Sequence, residues 1–400
     1  MIARPLPIRT DLSNPFAHHT MQVRVPAIIH EVSRQNPDYP ASVQTGLIEL
    51  AEAMAADAPL PTLQRWHYGA ADWLQALKAR RGETWLNTEW FFAETYLYRH
   101  LLELVGWWHT ARDPFAPKKH EELHSAALWE TLDAALDVLE DDRLPADEKL
   151  ATLLQLNLWG NRIDLSYALA ASHGSVGTET DLLVNEAEAI IRHLLSLDAE
   201  NVTLDLILDN AGTELATDLV LVDALLQHGF GRIRLHLKFH PTFVSDTTQY
   251  DFITFLTRLG FDPVEARQQL SGRLANAWDQ GRLELYPDIF WNSHHFMWEL
   301  APDTSLARLL GTSSLVIFKG DANYRRLVGD AVWDTAIPFT EVLRYFPVPL
   351  AALRTMKSDP VVGLSEGLAA ELDSIDAHWR VNGKRGVIQF MKPKVSDLHT

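Results

Sequence analysis

The chain has 400 residues, 35 Lys and Arg against 53 Asp and Glu, a formal net charge of −18 with histidine neutral, and no cysteine. Disulfides, iron–sulfur clusters, zinc–thiolate centres and thiolate nucleophiles are therefore excluded, and with them cysteine-based phosphatases and cysteine proteases. The acid surplus argues against DNA or RNA as partners, whose phosphates call for clustered Lys and Arg, while 47% hydrophobic and 22% charged residues describe a globular chain long enough for a substantial core.

Residues 1–28, with Pro5, Pro7, Pro15 and Pro26, read as an extended arm. The start, MIARPLPIRTDLSNPF, carries no apolar signal core or small-residue cleavage site, and no run of about 18 apolar residues follows, so a cytoplasmic protein with no membrane partner is expected. From about 27 to 170 the pattern is helical, with stretches at 42–56, 71–80, 90–108, 120–141 and 146–159. Leu97, Leu101, Leu104 and Trp108 recur at helical steps, and Pro145 suits a first helical turn. Eight of the 13 tryptophans (66, 73, 85, 90, 107, 108, 129, 159) fall in this half and read as bulky helical core. The polar stretch SHGSVGTET (172–180) marks a boundary, dividing an arm and helical bundle (1–175) from a second domain (176–400). There a helix at 181–196 leads to an apolar run at 202–208. A helix at 214–228, a run at 233–239, helices at 249–259 and 263–279, and runs at 283–286 and 315–318 follow. Short apolar runs separated by helices predict an α/β fold with a mostly parallel sheet covered on both faces.

In open α/β sheets ligands bind beyond the carboxyl ends of the strands. The first predicted strand ends in Asp209-Asn210-Ala211-Gly212, before a helix opening with Glu214. The second ends in His240-Pro241 and runs on to Asp246; the run at 315–318 ends in Lys319-Gly320-Asp321, then Ala322, Asn323, Tyr324 and Arg325. Any one such end reads as a turn or helix cap. Together they bring three aspartates and two carboxamides to one edge, hard oxygen ligands suited to Mg²⁺ or Mn²⁺. Lys319, Arg325, Arg354 and Lys357 add partners for phosphate oxygens, although an Arg354-x-x-Lys357 pair alone would read as a solvated helix face. Metal, carboxylates and convergent cations describe a phosphoryl-transfer site. Dinucleotide and P-loop glycine motifs, D-x-D and G-x-S-x-G are not found. His120-Glu121-Glu122-Leu123-His124 matches the H-E-x-x-H zinc motif, giving an alternative reading as a zinc metallohydrolase using His120, Glu121 and His124. The segment follows Lys118-Lys119 and also reads as the charged opening of a surface helix. His294-His295, His236 and His240 read as packing or polar contacts rather than metal ligands.

These motifs together resemble the metal-dependent damage-control phosphatases, once catalogued as domain of unknown function 89, in the branch of acidic-residue methyltransferase-like, sugar phosphate phosphatase proteins with an R-T-x-K motif. The resemblance runs through FAHHTMQVRVPAII (16–29), WLNTEWFFAETYLYRHL (85–101), LWGNRIDLS (158–166), LILDNAGTELATDLVLVDALL (206–226), HLKFHPTFVSD (236–246), VIFKGDANYRRLVGD (316–330), LRTMK (353–357) and NGKRGVIQF (382–390). It implies a helical N-terminal bundle packed on a three-layer α/β/α domain that binds metal and phosphate. It implies metal ligands at Asp209, Asn210 and Asp246, catalytic roles for Asp209, Asp246, Asp321 and Lys357, and substrate contacts from Glu214, Asp321, Asn323, Tyr324, Arg325, Arg354 and Lys357. Its activity is hydrolysis of phosphate monoesters of sugars or damaged metabolites, fructose 1-phosphate-like, supported by Mn²⁺, Co²⁺, Ni²⁺ or Mg²⁺. The partner is thus a small phosphorylated metabolite. Glu94, Arg99, Asn161 and Asp164, in family-matching helical stretches, are candidates either to face the pocket or to be buried in helix–helix contacts. The rival reading, an S-adenosylmethionine-dependent protein carboxyl methyltransferase, would need a Gly-rich loop after the first strand that is not evident.

Overall fold

The computed structural model describes residues 2–160 and 181–393. Asn161, Asp164, the SHGSVGTET stretch and the boundary at 175 lie outside the described residues.

The fold is α/β, built on one seven-stranded sheet in the order β1-β7-β6-β5-β2-β3-β4. The strands are β1 (Leu182–Asn185), β2 (Thr203–Ile207), β3 (Arg232–Lys238), β4 (Leu283–Asp288), β5 (Leu315–Lys319), β6 (Leu350–Thr355) and β7 (Gly386–Met391). β4, β3, β2, β5 and β6 are parallel; β7 is antiparallel to β6, and β1 is parallel to β7. The chain builds outward from β2 through β3 to β4, then returns to lay β5 on the other side of β2. The order therefore reverses between β2 and β5, the crevice where open α/β sheets place ligands.

Side chains alternate across the sheet with period two. Leu204 and Leu206 of β2, Ile233, Leu235 and Leu237 of β3, and Leu315 and Ile317 of β5 enter one core. That core is covered by α11 (Thr213–Gln227), in which every residue from Thr213 to Leu226 except Glu214 is buried. A helix buried on nearly every side belongs in an interior. Here α8 (Ala126–Glu140) and α9 (Ala146–Trp159) pack outside it. On the opposite face Ile207, Val316, Phe318 and Ala352 join Trp291, Tyr324 and Phe346, under α15 (Asp321–Val328). The polar side chains of β3 on that face pair within the sheet. Arg234 forks onto Asp205 at 2.8 and 2.6 Å, and His236 Nε2 lies 2.7 Å from Asp205 Oδ1.

A separate aromatic-rich core, with Met21, Ile29, Leu47, Trp73, Trp85, Trp90, Phe92 and Tyr96, holds the N-terminal helices together. They include α1 (Pro15–His19), running through a π-turn (Thr20–Arg24) into α2 (Val25–Gln35), then α3 (Ala41–Ala55), α4 (Ala70–Ala79), α5 (Trp90–Leu104), α6 (Trp107–Thr110) and α7 (Ala116–Leu123). No described helix is long and apolar enough to cross a membrane.

Several local expectations are corrected. The arm is extended only to Asn14, whose side chain accepts the Ala17 N–H and starts a helix with Pro15 in its first turn. The stretch 90–108 breaks after Leu104, and 120–141 breaks at Ser125, whose hydroxyl caps α8 by accepting the Leu128 N–H. The region 181–196 opens with the four-residue strand β1 before α10 (Ala187–Leu195). Strands β6 and β7 had no counterpart among the predicted runs.

Candidate active site

The carboxyl end of β2 continues as Leu208-Asp209-Asn210, which pairs with the segment around Asp246 in a short antiparallel ladder. Asn210 and Asp246 form a β-bridge, the Ala211 N–H donates to Ser245 O (2.7 Å), and the Thr247 N–H donates to Asp209 O (2.7 Å). The turn that presents Asp246 holds Phe243 and Val244 at φ 47° and 70°. Two consecutive non-glycine residues at positive φ, one β-branched, cost on the order of 1–3 kcal/mol each and persist only where the surroundings over-determine them. Phe243 packs on Tyr98 of α5 with ring centroids 5.0 Å apart.

Asp209, Asn210 and Asp246 line a cavity of about 400 Å³ together with Ser245, Asp321, Arg325 and Lys357, and Thr20, Arg24, Trp90 and Glu94 line it from the helical layer. Burial comes first in raising the Asp209 pKa well above the usual carboxylate range, with the Asp246 and Glu214 charges adding to it. Burial likewise raises Asp246, against the pull of Lys238, whose Nζ lies 3.2 Å from Asp246 Oδ2. Asp209 Oδ2 accepts from Asn210 Nδ2 at 3.1 Å, but its buried Oδ1 has no hydrogen-bond partner. Asn210 also donates to Glu214 Oε1 at 2.9 Å and accepts from Ser245 at 2.6 Å. Two crowded carboxylates, an orphaned buried oxygen and a carboxamide form an all-oxygen donor set that fits a hard divalent cation.

Gly320 lets β5 approach this point. At φ 83° and ψ 174° it sits against the Asp209 carboxylate, and a Cβ there would stand 1.9 Å from Asp209 Oδ2. Asp321, the next residue, is the first of α15. Its Oδ1 accepts the Arg354 Nε–H at 2.8 Å and the Lys357 N–H at 2.9 Å. Although burial works the other way, Arg354 and Arg325 hold Asp321 below the usual range and so keep it ionised.

One helical turn on, Arg325 faces the same cavity. Its guanidinium donates to Asp330 at 2.7 and 3.0 Å and to Glu94 at 2.6 Å, and it lies 4.0 Å from the Trp90 ring. Two buried carboxylates thus offset its charge. Lys357 differs: it is solvent-exposed at the cavity wall. Its desolvation is outweighed by Glu214, Asp209, Asp321 and Asp246, and its pKa rises.

Asp209, Asn210, Asp246, Asp321, Arg325 and Lys357 therefore converge. Glu214 sits behind Asn210. Arg354 is fully buried, donating to Ser358 O (2.8 Å) and Ser358 Oγ (2.9 Å) and stacking over Tyr324 at 4.3 Å, so it positions Asp321 and does not line the cavity. Asn323 and Tyr324 point elsewhere. Asn323 donates to Leu208 O and Lys319 O (3.1 and 2.8 Å), and the Tyr324 hydroxyl donates to Gln389 at 2.9 Å. As substrate contacts these two are corrected to supports, because their polar atoms are committed inside the protein. Lys319 is also withdrawn, pairing with Asp218 at 2.8 Å on the face toward α9. Of the helical candidates, Glu94 reaches the cavity, whereas Arg99 pairs with Glu103 (3.5 Å) and lies over Trp108 (4.8 Å). Thr20, Arg24 and Asn382 also line the cavity; in sequence Thr20 and Arg24 lie in the N-terminal helices and Asn382 just before β7, none of them at the carboxyl end of a predicted strand.

The zinc alternative is not supported by position. His124 Nδ1 faces His120 O at 2.8 Å, His124 Nε2 faces Arg258 at 3.3 Å, and Glu121 pairs with Lys118 at 3.2 Å. The neighbouring Glu122 accepts the Thr213 N–H at 2.9 Å, capping α11. A larger cavity of about 710 Å³ lies beside α7, but its lysine, Lys119, is already paired with Asp113 and Asp251 at 3.0 and 2.7 Å.

The profile of the damage-control phosphatase ARMT1-like domain matches residues 20–372. The chain belongs to this family. Among damage-control phosphatase ARMT1 proteins, that of Xenopus laevis is 30% identical over 96% of this chain and 98% of its own length. That of Rattus norvegicus is 32% identical over 87% of this chain and 86% of its own, and that of Homo sapiens 27% identical over 94% and 96%. A crystal structure of a DUF89 family protein from Pyrococcus horikoshii aligns over 95% of this chain and 99% of that chain, at 15% identity and a TM-score of 0.49. Asp209, Asn210, Asp246, Asp321, Arg325 and Lys357 all fall within the family match at residues 20–372.

Proposed function

We propose that this protein is a metal-dependent phosphatase hydrolysing phosphate monoesters of sugars or damaged metabolites, fructose 1-phosphate-like, in the cytoplasm. The observation that carries the reading is the meeting of opposite needs in one cavity. Asp209 and Asp246 crowd negative charge beside Asn210, and Lys357 and Arg325 line the same cavity. A divalent ion (Mn²⁺, Co²⁺, Ni²⁺ or Mg²⁺) held by Asp209, Asn210 and Asp246 would supply Lewis-acid polarisation of the phosphoryl group.

Lys357 is the mobile cation for the phosphoryl oxygens, since its ammonium is reachable from solvent and stays protonated across the physiological range. Arg325 contributes directional donors more than net charge, because three of its guanidinium contacts go to Glu94 and Asp330. Asp321, ionised and pinned by Arg354, is an acceptor for a sugar hydroxyl or for the attacking water. The helical layer contributes Trp90, Thr20 and Arg24 to the cavity wall.

The test is a screen of sugar phosphates with each metal, and chelator as control, on wild type and Asp246→Asn. Hydrolysis that needs metal and is lost in the variant is expected. Undiminished hydrolysis by Asp246→Asn would remove the metal assignment.

A further inference from the structure

The pair His294-His295 lies on the loop after β4, where the sequence alone reads as packing or polar contacts. The structure sets both imidazoles against one carboxylate from the other part of the molecule. Asp72, in the first turn of α4, has Oδ1 2.9 Å from His295 Nε2 and Oδ2 3.4 Å from His294 Nε2. One ligand atom from each of the three lies within 4.8 Å of the other two, and among the described residues no other His, Cys, Asp and Glu group of three does this.

Three features exceed an ordinary His–Asp ion pair. First, His294 Nε2 is buried without a hydrogen-bond partner, so the geometry aims it at the carboxylate without satisfying it. Second, Glu299 Oε2 lies 3.6 Å from Nδ1 of His295, the nitrogen facing away from Asp72. A carboxylate behind a histidine is the usual outer-shell orienter of a metal-bound imidazole. Third, Trp73 and Phe92 flank His294 at ring-centroid distances of 5.0 and 5.6 Å, giving the group an apolar wall, while Asp72 and His295 remain partly exposed and leave an entry path. The loop itself is held by Arg326 of α15, which donates to Trp291 O at 3.2 Å, to Ser293 O at 3.0 Å and to His295 O.

We propose that Asp72, His294 and His295 form a second divalent-metal site, separate from the Asp209/Asp246 cavity, that fastens the helical layer to the α/β sheet. Two imidazoles and a carboxylate favour a borderline ion such as Zn²⁺, Co²⁺ or Ni²⁺ over Mg²⁺, whereas the all-oxygen cavity favours a harder one. The ion would bridge α4 to the loop that Arg326 ties to α15, the helix carrying Asp321 and Arg325. The site is structural: it contacts no group proposed to act on phosphate.

The test uses full-length protein carrying Asp209→Asn and Asp246→Asn, so that the phosphatase cavity is disabled whether or not its own assignment holds. After chelator stripping, the background variant is titrated with Zn²⁺ alone, with bound metal measured by elemental analysis after dialysis. One equivalent of Zn²⁺ per chain and a raised thermal midpoint are expected. Adding Asp72→Asn, a half-exposed position that does not threaten the core, is expected to weaken zinc binding by more than about 100-fold and abolish the thermal shift. Glu299→Gln should weaken it by about 10–100-fold, as loss of an outer-shell partner does. Co²⁺ in place of Zn²⁺ should give visible bands that disappear with His294→Gln. A background variant that binds no Zn²⁺, or that binds it equally well after Asp72→Asn with its circular dichroism unchanged, overturns the proposal.

Discussion

Gly320→Ala adds one methyl group to a residue that has no functional group, yet it should abolish activity. The added Cβ would stand 1.9 Å from Asp209 Oδ2 and 2.1 Å from its Cγ. Ordinary contact is about 3.5 Å, so the carboxylate must retreat by about 1.5 Å or β5 must move. Displacements of about 1 Å at a reacting centre cost on the order of 100-fold, so kcat/KM should fall by at least about 100-fold. The backbone adds its own penalty: φ 83° with ψ 174° is a region that only glycine occupies comfortably, worth about 1–3 kcal/mol of stability. Gly367→Ala is the control for positive φ: Gly367 shares φ 83°, with ψ −19° in the left-handed helical region, and a Cβ there meets nothing within 4 Å. Metal-supplemented hydrolysis of an aryl phosphate and urea unfolding are measured on both variants. The control should lose some stability and keep its activity. If Gly320→Ala stays folded and within threefold of wild type, Asp209 is not where the chemistry happens and the β2–β5 junction is the wrong site.

Lys357→Ala should lower kcat/KM by about 100-fold while moving the urea-unfolding free energy by less than about 1 kcal/mol, because this lysine is exposed. Arg354→Ala should do the reverse in emphasis: it removes a fully buried side chain, leaves the part-buried Asp321 without its 2.8 Å partner and should cost about 3–5 kcal/mol in the same assay. Burial pushes His240 down to about 4, against an ordinary value of about 6.5. The folded state therefore binds fewer protons than the unfolded one between these values, and stability complete above pH 6.5 is lost as pH falls toward 4, by about 3 kcal/mol. His240→Gln should flatten that segment of the stability–pH curve relative to wild type, and equal slopes would refute the assignment.

What was legible in the sequence followed from where chemistry sits on a parallel sheet. Apolar runs at 202–208, 233–239 and 315–318 correspond to β2, β3 and β5 within a residue or so at each end, so the aspartates beyond them could be nominated together. The short edge strand β1 was hidden because four residues are too few to display a period, and Asp181 to Asn185 run directly into α10. Pairing depends on β7, which lies about 200 residues away, and no local pattern signals it. Side-chain direction was the other loss. Asn323 and Tyr324 sit beside Asp321 and Arg325 in sequence, but successive residues of a helix point about 100° apart. Asp321 and Arg325, four apart, share the cavity face, while Asn323 and Tyr324 turn toward Leu208 and Gln389. Of the partners of Arg325, Asp330 lies just 5 residues on, but Glu94 comes from α5, 231 positions away, and only the fold brings it there.

The pairing of β1 with β7 has a consequence for synthesis. The ribosome delivers β1 roughly half a chain before the strand that holds it, and β6 also waits for β7 to cover its open edge. Until residues 386–391 emerge, the nascent sheet offers two unpaired flanks, the geometry most prone to joining the wrong neighbour. Gln389, which anchors the Tyr324 hydroxyl, arrives in the same strand. A chain stopped short of β7 would thus carry all three aspartates and both cavity cations, Arg325 and Lys357, and still lack the strand that completes their scaffold. Assembly of the cavity's scaffold therefore waits on the docking of β7, however early the site residues themselves have been made.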